Sequence, residues 1–174
     1  MEGSGMTYDW ALYACLFLAL WSAMVAGVFS AFSEFIMSAL SKAEPASGIE
    51  AMQHINRDVI RTSFVAGILA IPFLSVALAI YAVTVYEGTG RVILVMGAAT
   101  YVVSVFGTTI FANVPMNNRL DALDGKRAEA RDYWSENVRN WTRFNHVRAL
   151  GSVLTAGLYL AAAITLVSSG QVWR

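Results

Sequence analysis

Residues 11–33 read ALYACLFLALWSAMVAGVFSAFS, 23 positions without a single Asp, Glu, Lys or Arg. An α-helix rises about 1.5 Å per residue and the hydrocarbon core of a bilayer is about 30 Å thick, so roughly 20 apolar residues cross it. Three further uncharged runs follow at 62–86, 92–112 and 149–169, of 25, 21 and 21 residues. Together the four hold 90 of the 174 residues. The fold expected is all-α: an integral membrane four-helix bundle forming one domain over 1–174.

Composition agrees. The chain is 57% hydrophobic and 14% charged, with a mean hydropathy of +0.54. Soluble domains are about 45–50% apolar and about 25% charged. A soluble enzyme, a disordered chain and a disulfide scaffold are excluded on that ground. Lys plus Arg equals Asp plus Glu, 12 against 12, so no net charge steers the protein to nucleic acid. Cys15, the single cysteine, has no partner for an internal disulfide and reads as a small core residue.

The first run is not expected to be a cleaved signal. Its flank carries Glu2 and Asp9 but no Lys or Arg, and the run exceeds the about 7–15 residues of a signal core. Orientation follows from the connections. Lys42, Arg57 and Arg61 lie in 34–61, and seven more basic residues, Arg119 through Arg148, lie in 113–148. These two connections share a side, giving 10 basic residues against Arg91 and Arg174 on the other. The positive-inside rule then puts both connections in the cytoplasm and both termini outside it, in a multi-pass protein of the inner (plasma) membrane.

Several details of the bundle are expected. Residues 87–91 form a turn, Pro72 kinks the second span, and Gly67 allows a close helix approach. Gly27, Gly97, Gly107, Gly151 and Gly157 mark packing contacts, and Trp10 and Trp173 sit at the outer headgroup level.

The two inner connections show helical periodicity. Residues 50–61 place Met52, Ile55 and Val59 on one face, with Glu50, His54, Asp58 and Arg61 opposite. Asp124-Gly125 marks a turn, after which Trp134, Val138, Trp141, Asn145 and Arg148 recur on one face of a continuous helix from about Lys126 to Ser169. The first span continues through 34–40. A faint echo, Asn56-Arg57-Asp58 and Asn118-Arg119-Leu120-Asp121, follows the two odd-numbered spans. The bundle therefore projects past the inner membrane face.

The residues that could carry chemistry gather at that boundary. His54, with Glu50 and Asp58 at i−4 and i+4, reads as a general base or metal ligand, or as part of a solvated ion-paired face. His146 reads as a site member or an interfacial anchor. Glu34, ending the first run, either snorkels to water or holds a proton at the bundle mouth. In Asn113-Val-Pro-Met-Asn-Asn-Arg119, Pro115 ends or kinks the third span, and the asparagines either cap the freed carbonyls or line a pocket. Trp134 and Trp141 read as interface anchors or as walls of an aromatic site. No glycine-rich phosphate loop, paired metal-binding cysteines or di-iron Glu-x-x-His repeats are present, so no metal is expected.

Three stretches, MQHINR at 52–57, NVPMNNRL at 113–120 and WTRFNHVR at 141–148, resemble the anthrone-oxygenase-like family of small four-span membrane proteins. The resemblance implies a cofactor-independent oxygenase that oxidises an anthrone-like aromatic with O₂. An anthrone tautomerises to an electron-rich anthranol, whose anion passes an electron to O₂ directly. The protein then has to bind a flat aromatic, remove a proton and exclude water. On this resemblance His54 is the base, Asn117 and Asn145 hydrogen-bond phenolic oxygens, and Trp141 stacks. Position at the same inner boundary adds Glu34 as a second catalytic candidate and His146 and Arg148 as substrate contacts. The partners expected are the bilayer, a hydrophobic aromatic molecule, and a membrane protein or second copy. Two other readings stay open: a non-catalytic subunit docking a partner through the cytoplasmic extension, and a carrier of a small hydrophobic molecule. The carrier is disfavoured because no span is visibly broken and no ionisable residue lies mid-membrane. The charge count predicts that a reporter fused after Arg174 is active only outside the cytoplasm; activity confined to the cytoplasm would reverse the orientation.

Overall fold

A computed structural model describes residues 10–170, and these are helical without strands. Five helices account for nearly all of them: α1 (Trp10–Lys42), α2 (Pro45–Val59), α3 (Ser63–Val85), α4 (Gly88–Asp121) and α5 (Ala128–Ser168). α1, α3, α4 and α5 are each long and apolar enough to cross a membrane. α5 is the spine, packed along α1 and against α4, while α3 leans on the first half of α4 and touches α1 lightly. With 41 residues it is about 60 Å long, twice the bilayer core, so it must project beyond it.

Two apolar cores are threaded on that spine. The larger joins Leu18, Val25, Phe29, Ile71, Leu78, Leu94, Tyr101, Tyr159 and Leu166 within the membrane-length segments. Outside it the chain stays apolar: Phe73, Val103, Phe111, Leu150 and Ile164 are all exposed. Apolar surface turned outward around the middle of the bundle is the pattern of helices in contact with lipid tails. The smaller core joins Met37, Ile49, Met52, Leu120, Tyr133, Trp134 and Trp141 in the extension. Trp134 and Trp141 are buried there, so they do not act as headgroup anchors. Trp10 is half exposed with its ring 4.7 Å from that of Tyr81, and Trp173 lies outside the described residues.

Local chemistry sets the boundaries. α2 begins at Pro45, earlier than the periodicity of 50–61 suggests. Pro45 has no N–H to leave unpaired at a first-turn position, and the Glu44 carboxylate accepts from Ala46 N at 2.9 Å and Ser47 N at 3.3 Å. Gly48 does not interrupt the helix. A Cβ there would stand 2.5 Å from the Leu40 carbonyl oxygen and 3.2 Å from the Trp134 ring, so glycine lets α2 close onto α1 and α5. The turn between α3 and α4 is tighter than 87–91: only Tyr86 and Glu87 separate them, and Gly88 supplies a left-handed φ of +66°. Gly90 is instead a packing residue inside α4, against Leu166. Lys126 N donates to Asp124 Oδ1 in the turn that precedes α5.

Pro115 does not end the third span. α4 runs on to Asp121, and the helix widens to π geometry over Tyr101–Gly107 and Thr109–Asn113, just before the proline. A proline removes one backbone donor and crowds the turn before it, and a widened turn makes room for the ring. Ser104 Oγ donates to Thr100 O and Thr109 Oγ1 to Val105 O within this stretch. A third π segment, Phe32–Ile36, sits in α1 where the first span gives way to its extension.

Of the packing glycines, Gly97 faces the Tyr159 ring and Gly151 faces Ser104, whereas Gly27 and Gly157 meet nothing within 4 Å. Gly107 has only the Val102 carbonyl near it. Gly151→Val is accordingly expected to destabilise the protein by about 1–3 kcal/mol through overpacking against α4. Gly157→Ala is expected to leave stability unchanged or slightly raised. Thermal unfolding of both variants in detergent checks the contrast.

Candidate functional site

Where the membrane-length core meets the extension core, α5 turns three side chains to one face at i, i+4 and i+7: Trp141, Asn145 and Arg148, all buried. Asn145 is the hub. Its Nδ2 donates to Phe29 O at 2.6 Å and to Ser33 Oγ at 2.7 Å on α1, and its Oδ1 accepts from Arg148 Nη2 at 2.7 Å. The Arg148 guanidinium carbon lies 4.2 Å from the centre of the Phe29 ring and 5.1 Å from that of Trp141.

Trp141 ties α5 to α4. Its Nε1 donates to Asn117 Oδ1 at 2.8 Å, its carbonyl accepts from Asn113 Nδ2 at 3.3 Å, and its ring sits 5.7 Å from Phe32. Asn113 and Asn117 thus bond to α5 and do not cap the carbonyls of α4. α2 clamps the end of α4: Gln53 Nε2 donates to Leu120 O and Leu123 O, both at 2.9 Å, and Arg57 Nε pairs with Asp121 Oδ1 at 2.7 Å. The two carbonyls belong to the last turn of α4 and the residues just past it; Leu120 O also accepts from Leu123 N at 3.2 Å, so Gln53 adds a second donor there.

These contacts frame a cavity of about 380 Å³, within the about 300–1,000 Å³ range of small-molecule sites. Most of its wall is apolar, with the rings of Phe29, Phe32, Phe64 and Trp141 and aliphatic groups such as Ile68 and Ile110. Asn56, Asn113, Asn117, Asn118, Arg57, Asp121 and Arg148 supply polar groups. The wall has a weak side. α3 packs on α4 as far as Gly107 and parts from it beyond, and Leu69, Ile110 and Val114, all cavity-lining, are exposed at that gap.

The sequence-derived set divides in two. Asn117, Trp141 and Arg148 line the cavity, and Asn145 stands directly behind Arg148. Glu34, His54 and His146 do not converge with them: each is exposed, and none lines the cavity. The reason is helix phase. Met52 and Asn56 are buried, so His54 is carried on the outward face of α2, as His146 is on α5 by the burial of Asn145. Glu34 lies in the π segment of α1, none of whose residues is buried. Among the described residues no three His, Cys, Asp or Glu side chains come together as a metal-binding group.

Asn56, Phe29 and the Arg57–Asp121 pair are cavity residues that the sequence did not single out, while Asn113, left open there between a cap and a pocket, lines the cavity. One signal pointed to Asn56, a polar side chain four residues after Met52 on the buried stripe of an amphipathic helix. The echo of Asn56-Arg57-Asp58 and Asn118-Arg119-Leu120-Asp121 was another, since Arg57 and Asp121 bond to each other across the cavity mouth.

The family model of anthrone oxygenase matches residues 59–158. The chain belongs to the anthrone oxygenase family. No curated protein and no solved structure matches it. The matched segment runs from the last residue of α2 into the final turns of α5 and so contains Asn113, Asn117, Trp141, Asn145 and Arg148. The remaining walls come from α1 and α2, with Phe29, Phe32 and Asn56. In this member of the anthrone oxygenase family Asn145→Leu would forfeit three hydrogen bonds. The expected loss is about 1–3 kcal/mol. Arg57→Met, which breaks a half-exposed pair, is expected to lose less than about 1 kcal/mol. Detergent melts of the two variants check the order.

Proposed function

We propose that the chain is a membrane oxygenase that takes a flat, hydrophobic anthrone-like ketone into the cavity and oxidises its methylene to a carbonyl with O₂. The observation that carries the reading is the aromatic-walled cavity with amides and a guanidinium at one end, in a chain of the anthrone oxygenase family. The gap between α3 and the far part of α4, edged by exposed apolar side chains, supports entry of the substrate from the lipid. The charge count of the connections supports a cavity on the cytoplasmic side of the membrane.

Phe32 and Trp141 hold the ring system, and Asn117 and Arg148 hold its oxygens. Asp121 is the carboxylate that lines the cavity, held beside Arg57, and it takes the methylene proton. The resulting carbanion, delocalised as the anthranolate, passes an electron to O₂. The carbon radical and superoxide combine to a peroxide anion, which takes the proton back from Asp121 to give C–OOH, and loss of water from it leaves the carbonyl. One oxygen atom enters the product and the other departs as water with the two methylene hydrogens. Burial of Trp141 and Arg148 supports exclusion of water from the anionic stage.

Docking of a partner protein through the extension has less support, because Ile49, Met52, Trp134 and Trp141 are already buried in its own core. The test is anthrone-dependent O₂ uptake by membranes containing the protein. Asp121→Asn is expected to lower the rate by about 10²-fold or more, the usual size of a general-base contribution. His54→Ala is expected to retain it. A full rate in Asp121→Asn, or a collapse in His54→Ala, would sink these roles.

A further inference from the structure

We propose that the cavity receives its ligand as an aromatic oxyanion, a ring-borne phenolate or carboxylate seated on Arg148. The inference rests on the reading of the cavity as a site for a flat aromatic and adds the ligand's charge and the pattern of its polar edge.

Arg148 is only 6% exposed. The hydrogen-bond acceptor it has is the neutral Asn145 amide, its Nε has no partner, and among the described residues no carboxylate pairs with it. A charge withdrawn from water without an opposite charge is strongly unfavourable. The rings of Phe29 and Trp141 offset part of this through cation–π contact, a weaker interaction than an ion pair in the same setting. A buried ionisable side chain at the membrane boundary, with no counter-ion among the described residues, fits a binding site whose partner comes from outside the chain. A guanidinium is suited to that partner being an oxyanion, because its planar fork matches paired oxygen acceptors.

Of the other buried side-chain atoms without partners, two belong to residues lining the same cavity: Asn56 Nδ2, a donor, and Asn113 Oδ1, an acceptor. With Arg148 Nε they make two donors and one acceptor. A hydroxylated aryl ketone with one ring hydroxyl ionised carries the complement: a phenolate, the ketone oxygen as a second acceptor and a remaining hydroxyl as donor. A fatty carboxylate would bring the same charge without rings, and the walls of Phe29, Phe32, Phe64 and Trp141 favour the aromatic.

The experiment titrates the purified protein in non-ionic detergent at neutral pH with anthracene-9-carboxylate and with the neutral anthracene-9-carboxamide, read by probe fluorescence. The carboxylate is expected to bind at least tenfold more tightly. Arg148→Met is expected to abolish that preference, and Arg148→Lys to keep a severalfold preference. If Arg148→Met does not fold, the unmodified protein and Arg148→Lys carry the test. Equal affinity for the two probes in the unmodified protein, binding of neither, or an undiminished preference in Arg148→Met overturns the inference. Decanoate displacing the anthracene acid at equal concentration overturns its aromatic part. Neither probe has an oxidisable methylene, so an anion preference without anthrone oxidation keeps this inference and removes the oxygenase reading.

Discussion

The structure depends on a single amide. Asn145 donates twice to α1, at Phe29 O and Ser33 Oγ, and accepts from Arg148 on its own helix. Both amide hydrogens and the carbonyl oxygen are engaged, so the side chain has one orientation available to it. That orientation fixes the azimuth of α5 against α1 and, through the same face, the position of Trp141. Trp141 in turn sets α4 by bonding to Asn113 and Asn117. In a bundle whose outer surface faces lipid, burying more apolar area does not select one packing over another. Directional bonds of this kind do.

The helical widening in α4 belongs to the same arrangement. Pro115 would break a regular helix, yet the chain continues to Asp121, with two π segments on the N-terminal side of the proline. π turns rotate the residues that follow them relative to an ideal α-helix, so Asn113 and Asn117 reach α5 together. The cavity lies beside this widening, with Thr109, Ile110 and Asn113 in its wall. Irregular backbone at such a depth is tolerated where it is covered by protein or lines a cavity.

The fold was legible in the sequence because the signals were long: four uncharged runs, and one unbroken period through 126–169. The cavity was legible only where a polar residue shared a face with tryptophans, as Asn145 and Arg148 do with Trp141. The histidines stand apart from the cavity for a physical reason. The residue type suggested chemistry, while the phase of α2 and α5, set by Met52, Asn56 and Asn145 pointing inward, carried both rings outward. Asn56 was hidden and Asn113 stayed ambiguous for the converse reason, since amides in a connecting segment look the same whether they cap a helix or face a pocket. The contacts that separate those cases run between α5 and α4 and across the mouth from α2, and no local pattern encodes them.

The continuity of α5 has a consequence for how the protein sits in membranes of different thickness. With no break over 41 residues, the axial distance from Trp134 in the extension core to Arg148 is a ruler of about 21 Å. A thinner or thicker bilayer changes the mismatch with the apolar surface of the bundle. An unjointed rod that belongs to both cores cannot absorb that mismatch by folding between them. It is absorbed by tilt or by vertical displacement of the whole bundle. Lipid composition therefore acts on the depth of the cavity before it acts on its shape.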